Sequence, residues 1–191
     1  GALIGRSASL VQQKNLFAPP TEAGIVVSPG PLGAISWHPV AYDSAAGAAY
    51  AQVRQSATTY IVKRVPAAAG RPAIRYTETA EAPGEPAFSA LTKVDLASGG
   101  AIAWSVKSKT RLSGGTLATA GGLVFSGEED GHFNAHDATT GAVLWRFQCG
   151  AGISGPPISF SLGSAQYVAV AAGGASYTKG SGFGTGDALV V

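Results

Sequence analysis

Ala135-His136-Asp137-Ala138-Thr139-Thr140-Gly141-Ala142-Val143-Leu144-Trp145 is the stretch on which the fold turns. Asp137 is placed to open a turn, because its carboxylate can accept the backbone N–H groups that follow it. Gly141 closes the turn, where positive φ suits a residue without a side chain. An apolar run ending in Trp145 then leaves it. The same unit recurs from Val94-Asp95 to Trp104, with the two aspartates 42 residues apart. A period of roughly 40–45 residues, with four short strands to each unit, is that of a propeller blade. A single blade cannot bury both of its faces and must stack on neighbours. Trp is the large flat group expected to fill the gap between them.

Outward from this unit, the second half of the chain reads as short strands separated by turns. Leu91 to Asp95, Ala101 to Val106, Leu123 to Ser126, His132 to His136, Ala142 to Phe147, Ile158 to Ser161, Tyr167 to Ala172 and Ala188 to Val191 have strand character. Their spacing of about 8–12 residues is that of a sandwich, barrel or propeller. The repeat selects the propeller. The first half is less regular. Residues 1–30 read as an irregular lead-in and 31–65 as a partial blade, with strands over Val40 to Tyr42, Ala48 to Val53 and Thr58 to Val65. Residues 66–90, rich in Pro, Ala and Glu, read as an insertion or long loop, and 91–191 as the last blades.

Composition narrows the function classes. Charged residues are 13% of the chain, against a usual figure of about 25%. Net charge is +2, and Lys and Arg are scattered. Nucleic-acid and membrane-surface partners, which need clustered positive charge, are therefore not expected. Apolar runs fall well short of the roughly 20 residues of a bilayer span. The 27 glycines and 11 prolines make turns frequent and long helices improbable. With no Met and no targeting segment, the sequence is expected to be an internal-to-C-terminal piece. The single Cys149 reads as a small apolar filler.

The docking unit resembles the tryptophan-docking motif of the pyrroloquinoline-quinone (PQQ) dependent alcohol and sugar dehydrogenases, and the resemblance extends beyond it. Gly114-Gly115-Thr116-Leu117-Ala118-Thr119 through Phe125 is similar to the family's Gly-Gly-x-x-Ala-Thr stretch ahead of its penultimate blade. Gly155-Pro156-Pro157-Ile158 and Gln166-Tyr167-Val168-Ala169-Val170-Ala171-Ala172-Gly173-Gly174 resemble its last blade, and Pro31 to Trp37 its Gly-Gly-x-Asn-Trp stretch. The implied fold is all-β: a β-propeller fragment of roughly the last two to three four-stranded blades of an eight-bladed propeller.

The resemblance implies oxidation of an alcohol or sugar hydroxyl by hydride transfer to PQQ, with a calcium or lanthanide ion, a periplasmic location, and a cytochrome c or quinone as electron acceptor. A metal Lewis acid beside a carboxylate base suits that reaction. Those ligands and the base are expected N-terminal to this chain, so no catalytic or metal residue is assigned within it, and the chain by itself is expected to be inactive. Cofactor-side positions implied by the resemblance are Ser36, Trp37, Ser113 and Gly114. Ser36 stands where the family has Asn, and Ser113 where methanol-oxidising members have Trp. A non-catalytic propeller that binds protein partners as an assembly scaffold is the alternative, because such propellers share the docking motif.

Asp43, Asp95, Asp130 and Asp137 read as turn formers. His38, next to Trp37, reads as a packed or exposed residue. His132 and His136 share one strand face and read as solvated positions. Ser176-Tyr177-Thr178-Lys179 and Gly180 to Gly186 lack the helices that catalytic Ser-x-x-Lys and phosphate-loop motifs require. The loop Gly174 to Gly186 is expected to flank substrate access.

Overall fold

A computed structural model describes residues 1–3, 5–174 and 184–191. In chain order the strands begin with β1 (Ile25–Val27), β2 (Ala41–Asp43), β3 (Ala48–Gln55), β4 (Thr58–Val65) and β5 (Ile74–Glu81). They continue with β6 (Phe88–Asp95), β7 (Ala101–Ser108), β8 (Thr116–Ala118), β9 (Leu123–Gly127) and β10 (His132–Asp137). The last four are β11 (Val143–Gln148), β12 (Ile158–Leu162), β13 (Ala165–Ala172) and β14 (Ala188–Val190). Among the described residues every element is a strand, and the pairs β1–β4, β2–β3, β4–β5, β6–β7, β8–β9, β9–β10, β10–β11, β12–β13 and β13–β14 are antiparallel. Among the described residues no helix is long and apolar enough to cross a membrane.

The chain forms two compact units. The first, residues 1–10, 35–53 and 88–191, holds three sheets in the orders β2-β3-β6-β7, β11-β10-β9-β8 and β12-β13-β14. These are propeller blades. The 42-residue sequence repeat returns as a geometric one: the β6–β7 and β10–β11 hairpins each carry a register shift, between Lys93 and Val94 and between Ala135 and His136. A bulge at the same place in both hairpins adds local twist just ahead of the turn.

The turns are built as their residues dictate. Asp137 Oδ1 accepts the backbone N–H groups of Thr139 (3.0 Å) and Thr140 (2.7 Å) together with the Thr140 hydroxyl. Asp95 accepts from Ser98 N (3.0 Å) and Ser98 Oγ (2.7 Å). Those hydrogen bonds hold both carboxyls below the ordinary carboxylate range. Asp43 serves Ala45 and Ala46 in the same manner, and Asp130 serves His132. All four aspartates form turns, as their positions in the sequence imply.

Two apolar clusters tie successive blades together. Ala48, Tyr50, Leu91, Leu112, Val124 and Ala138 form one, joining the first two blades. Trp104 lies against it, its indole N–H donating to Ala138 O at 3.3 Å. The Tyr50 hydroxyl and Lys93 Nζ reach the same carbonyl, at 3.3 and 3.0 Å. One turn of the second blade thereby receives donors from three strands of the first. Phe133, Ala151, Ile153, Val170 and Ala172 form the other cluster, between the second and third blades. Cys149 packs at its margin as an apolar filler, and burial pushes its thiol pKa up.

The second unit, residues 11–34 and 54–87, contains the sheet β1-β4-β5. Val11 and Val62 are its buried apolar side chains. Buried Gln55 links two stretches of it, accepting from Gln12 N and donating to Ser28 Oγ, both at 2.7 Å. This unit departs from the sequence expectation in three places. Residues 1–30, expected to be irregular, include β1. Thr58 to Val65, placed with a partial blade, pairs instead with β1 and β5. Within 66–90, expected as an insertion or long loop, Ile74–Glu81 is a full strand, exposed along its whole length. Its mixture of Tyr, Thr and Ala with charged residues has no buried face to betray it, so backbone pairing rather than burial makes it a strand.

Candidate functional site

Three successive loops lead into the first strands of the three blades, and all the cofactor-side positions implied by the resemblance lie in two of them. Ser36 and Trp37 precede β2, Ser113 and Gly114 precede β8, and Ser154-Gly155 precede β12. Pro39 joins the first loop to the second. Its carbonyl accepts Thr116 N at 3.1 Å, and a Cβ added to Gly115 would stand 2.8 Å from its ring. Thr116 Oγ1 completes the seam, accepting from Ala41 N (2.9 Å) and donating to Tyr50 O (2.8 Å). Ser113 joins the second loop to the third, with its Oγ 3.4 Å from Ser154 Oγ. A Cβ on Gly114 would meet Gly155 O at 2.9 Å, so this close approach needs glycine.

The side chains differ in what they offer. Trp37 is 62% exposed and touches the His38 ring edge-on at 4.1 Å, which leaves an indole face open. Ser36 is exposed, Ser113 and Ser154 are half-buried, and Gly114 is buried. Behind this surface, buried Gln52 of β3 accepts Gly115 N at 2.8 Å and donates to Ser126 Oγ at 2.9 Å. The backbone that presents Ser113 and Gly114 is thus braced by a fully used amide.

Sequence reasoning passed over Ser154 and Gln52. Ser154 lies 41 residues after Ser113, so the blade period was a usable signal for it. Gln52 carried none, since its role depends on a partner 63 positions away.

This surface suits a planar, polar molecule better than a cation. It offers hydroxyls, backbone and an open aromatic face, and no carboxylate. Among the described residues no cluster of His, Cys, Asp and Glu could hold a metal ion. The expectation that His132 and His136 are solvated is corrected: His136 is buried, and its Nδ1 is 3.0 Å from Gly141 O. Burial lowers its pKa, with Arg146 adding to the effect and the Gly141 hydrogen bond and Glu128 opposing it. His132 is half-buried against Asp130, Nδ1 to Oδ2 at 2.9 Å. Residues 175–183, with the Ser176 to Lys179 string and most of the Gly174 to Gly186 loop, lie outside the described residues.

A family model described as glucose/ethanol/alcohol dehydrogenase, β-propeller domain, matches residues 83–168. A quinoprotein ethanol dehydrogenase of Pseudomonas aeruginosa is 35% identical over 149 residues, which are 78% of this chain and 24% of that protein. The lupanine 17-hydroxylase [cytochrome c] of a Pseudomonas species is 48% identical over 79 residues, 40% of this chain and 11% of that protein. Among solved structures, the quinohemoprotein alcohol dehydrogenase of Comamonas testosteroni superposes with a TM-score of 0.67 at 30% identity, covering 78% of this chain and 24% of that one. A europium-containing methanol dehydrogenase gives 0.65 at 31% identity, covering 81% and 28%. The chain spans 22–27% of the length of the first curated relatives it matches.

Proposed function

The chain carries the β-propeller domain of the PQQ-dependent dehydrogenase family across residues 83–168, and from that premise we propose that it contributes one side of a quinone site in an enzyme oxidising an alcohol. The observation that carries this reading is the junction of the Ser36-Trp37, Ser113-Gly114 and Ser154-Gly155 loops through Pro39 and the two serine hydroxyls. PQQ, when bound, supplies a two-electron acceptor for the substrate's hydride. Trp37 offers an aromatic face to a flat ring system, and Ser36 and Ser113 offer hydroxyl donors to its polar edge. Gln52 keeps the Ser113-Gly114 backbone in place.

The metal that polarises such a quinone, and the carboxylate base, are assigned to residues outside this chain. A periplasmic location and a cytochrome c or quinone acceptor go with the same reading.

PQQ titration into the whole protein, followed by quenching of Trp fluorescence, tests the assignment independently of turnover. Trp37→Ala is expected to weaken binding about 10-fold or more, the loss of roughly 1.4 kcal/mol of stacking. Dye-linked alcohol oxidation should fall with it, and the 191-residue chain alone should give no turnover with PQQ and calcium. Unchanged PQQ affinity in Trp37→Ala would remove Trp37 from the site. Absence of PQQ binding altogether would favour a protein-binding scaffold instead.

A further inference from the structure

β5 (Ile74–Glu81) closes the three-stranded sheet β1-β4-β5 of the second unit, and its outer edge pairs with no strand among the described residues. On its inner side it matches β4 residue for residue, from Ile74 opposite Val65 to Glu81 opposite Thr58. All eight of its residues are exposed. Such an edge offers unpaired backbone N–H and C=O groups to another strand, and charge on the edge decides which strands can use them.

The charged residues of β5 are Arg75, Glu78 and Glu81, and the sheet treats them differently. Glu78 is held by Lys63 of β4, Oε2 to Nζ at 3.5 Å. Arg75 and Glu81 form no ion pair among the described residues. Nor do the residues opposite them on β4 supply one, because Arg75 faces Arg64 and Glu81 faces Thr58. Arg64 is itself taken by Glu22. The strand therefore carries opposite charges towards its two ends, both left unanswered by its own sheet.

A second copy of the same strand, running antiparallel, answers both. Pairs in an antiparallel ladder alternate between two kinds, so a two-fold axis between identical strands must pass through a residue matched with itself. With Tyr76 or Thr77 on the axis, Arg75 would face the partner's Thr77 or the partner's Thr79. With Glu78 on the axis, Arg75 faces the partner's Glu81, and Glu81 faces the partner's Arg75. Thr77 then lies against the partner's Thr79, and Tyr76 against the partner's Ala80. The two central Glu78 carboxylates are each countered by the Lys63 of their own sheet. We propose that β5 is a self-pairing edge that joins two copies of this chain into one continuous sheet, with Glu78 on the two-fold axis and an Arg75–Glu81 pair on either side. The quinone reading uses no residue of this sheet, so either can fail without the other.

Oxidative cross-linking of the whole protein tests the register, with Cys149→Ala removing the native thiol. Glu78→Cys is expected to give a disulfide-linked dimer, since directly opposed positions lie about 5 Å apart. In Thr79→Cys the two thiols sit diagonally, roughly 7–8 Å apart, and should link at least about 10-fold more slowly. Arg75→Glu, added to Glu78→Cys, sets like charges opposite each other at both ends and should slow the link about 10-fold. Glu81→Arg on top of it should restore the rate. The substituted positions are exposed, and Arg75→Glu gains Arg64 as a neighbour within its own sheet, so melting temperatures should stay with the parent. Without the introduced cysteines, sedimentation velocity of the whole protein should show a dimer that Arg75→Glu shifts towards monomer and the double exchange recovers. Equal linking at positions 78 and 79, a rate untouched by Arg75→Glu, or no recovery in the double exchange would overturn the proposal.

Discussion

Gly141 is under two constraints at once, and they can be separated by experiment. Its φ is +78°, and a Cβ there would stand 2.9 Å from the Trp104 ring and 2.9 Å from Val106. Its counterpart one repeat earlier, Gly99, has a φ of +71° but open space around the added carbon. Gly99→Ala should therefore cost only the backbone strain, about 1 kcal/mol. Gly141→Ala adds the steric conflict with Trp104 and should cost about 2–4 kcal/mol in all. Urea denaturation of the two variants beside the parent checks the difference, and equal losses would show that Trp104 does not dock firmly on this turn. His136 gives a second test at the same scale. Its folded pKa is depressed by burial, so the stability associated with its neutral form is complete above the unfolded value of about 6.5 and is lost as pH falls through the folded pKa. The denaturation midpoint should hold at neutral pH and above and decline as pH falls below about 6.5, and the decline should shrink in His136→Gln. Asp95 and Asp137, held low by their turn hydrogen bonds, titrate below that window.

At the scale of the element, what could be read in advance was whatever local chemistry dictates. Asp137 to Gly141 and Asp95 to Gly99 announce their turns, because short-range hydrogen bonds and one permissive residue suffice to build them. The strands that follow, β7 and β11, were legible from the same repeat. β8 was not singled out as a strand, since it is three residues long and follows two glycines. β5 escaped for a different reason: exposed on both faces, it lacks the alternation that burial imposes. The route of the chain was equally hidden. β3 and β6 are neighbours in one sheet although residues 56–87 separate them in sequence, and nothing local in either strand records such a departure. The candidate site divides along the same line. Ser36, Trp37, Ser113 and Gly114 came from motif strings, whereas the Ser113–Ser154 contact and the Gln52 brace depend on pairings across blades that only the folded chain brings about.

For the whole molecule, the contrast between the two repeated tryptophans has a consequence. Trp104 finds the Asp137 to Gly141 turn to sit on, with Ala138 O accepting its N–H. Trp145, at the same place in the next blade, is 48% exposed and stacks only on Phe147, at 5.9 Å, and edge-on against Phe133. Every residue of β11 is exposed, including Val143, Leu144 and Phe147. Ile158 and Leu162 of β12 and Leu189 of β14 are exposed as well. Large apolar side chains concentrated on strands that lie at sheet edges invite pairing with another chain. The 191-residue chain by itself should therefore self-associate, with sedimentation velocity showing species larger than a monomer that grow with concentration. Phe147→Lys puts a charge beside Trp145 on the same face of β11 and should shift the distribution towards monomer. A parent chain that stays monodisperse and melts cooperatively as a monomer would mean that these strands are covered within the chain, against the exposure of Trp145 and its neighbours.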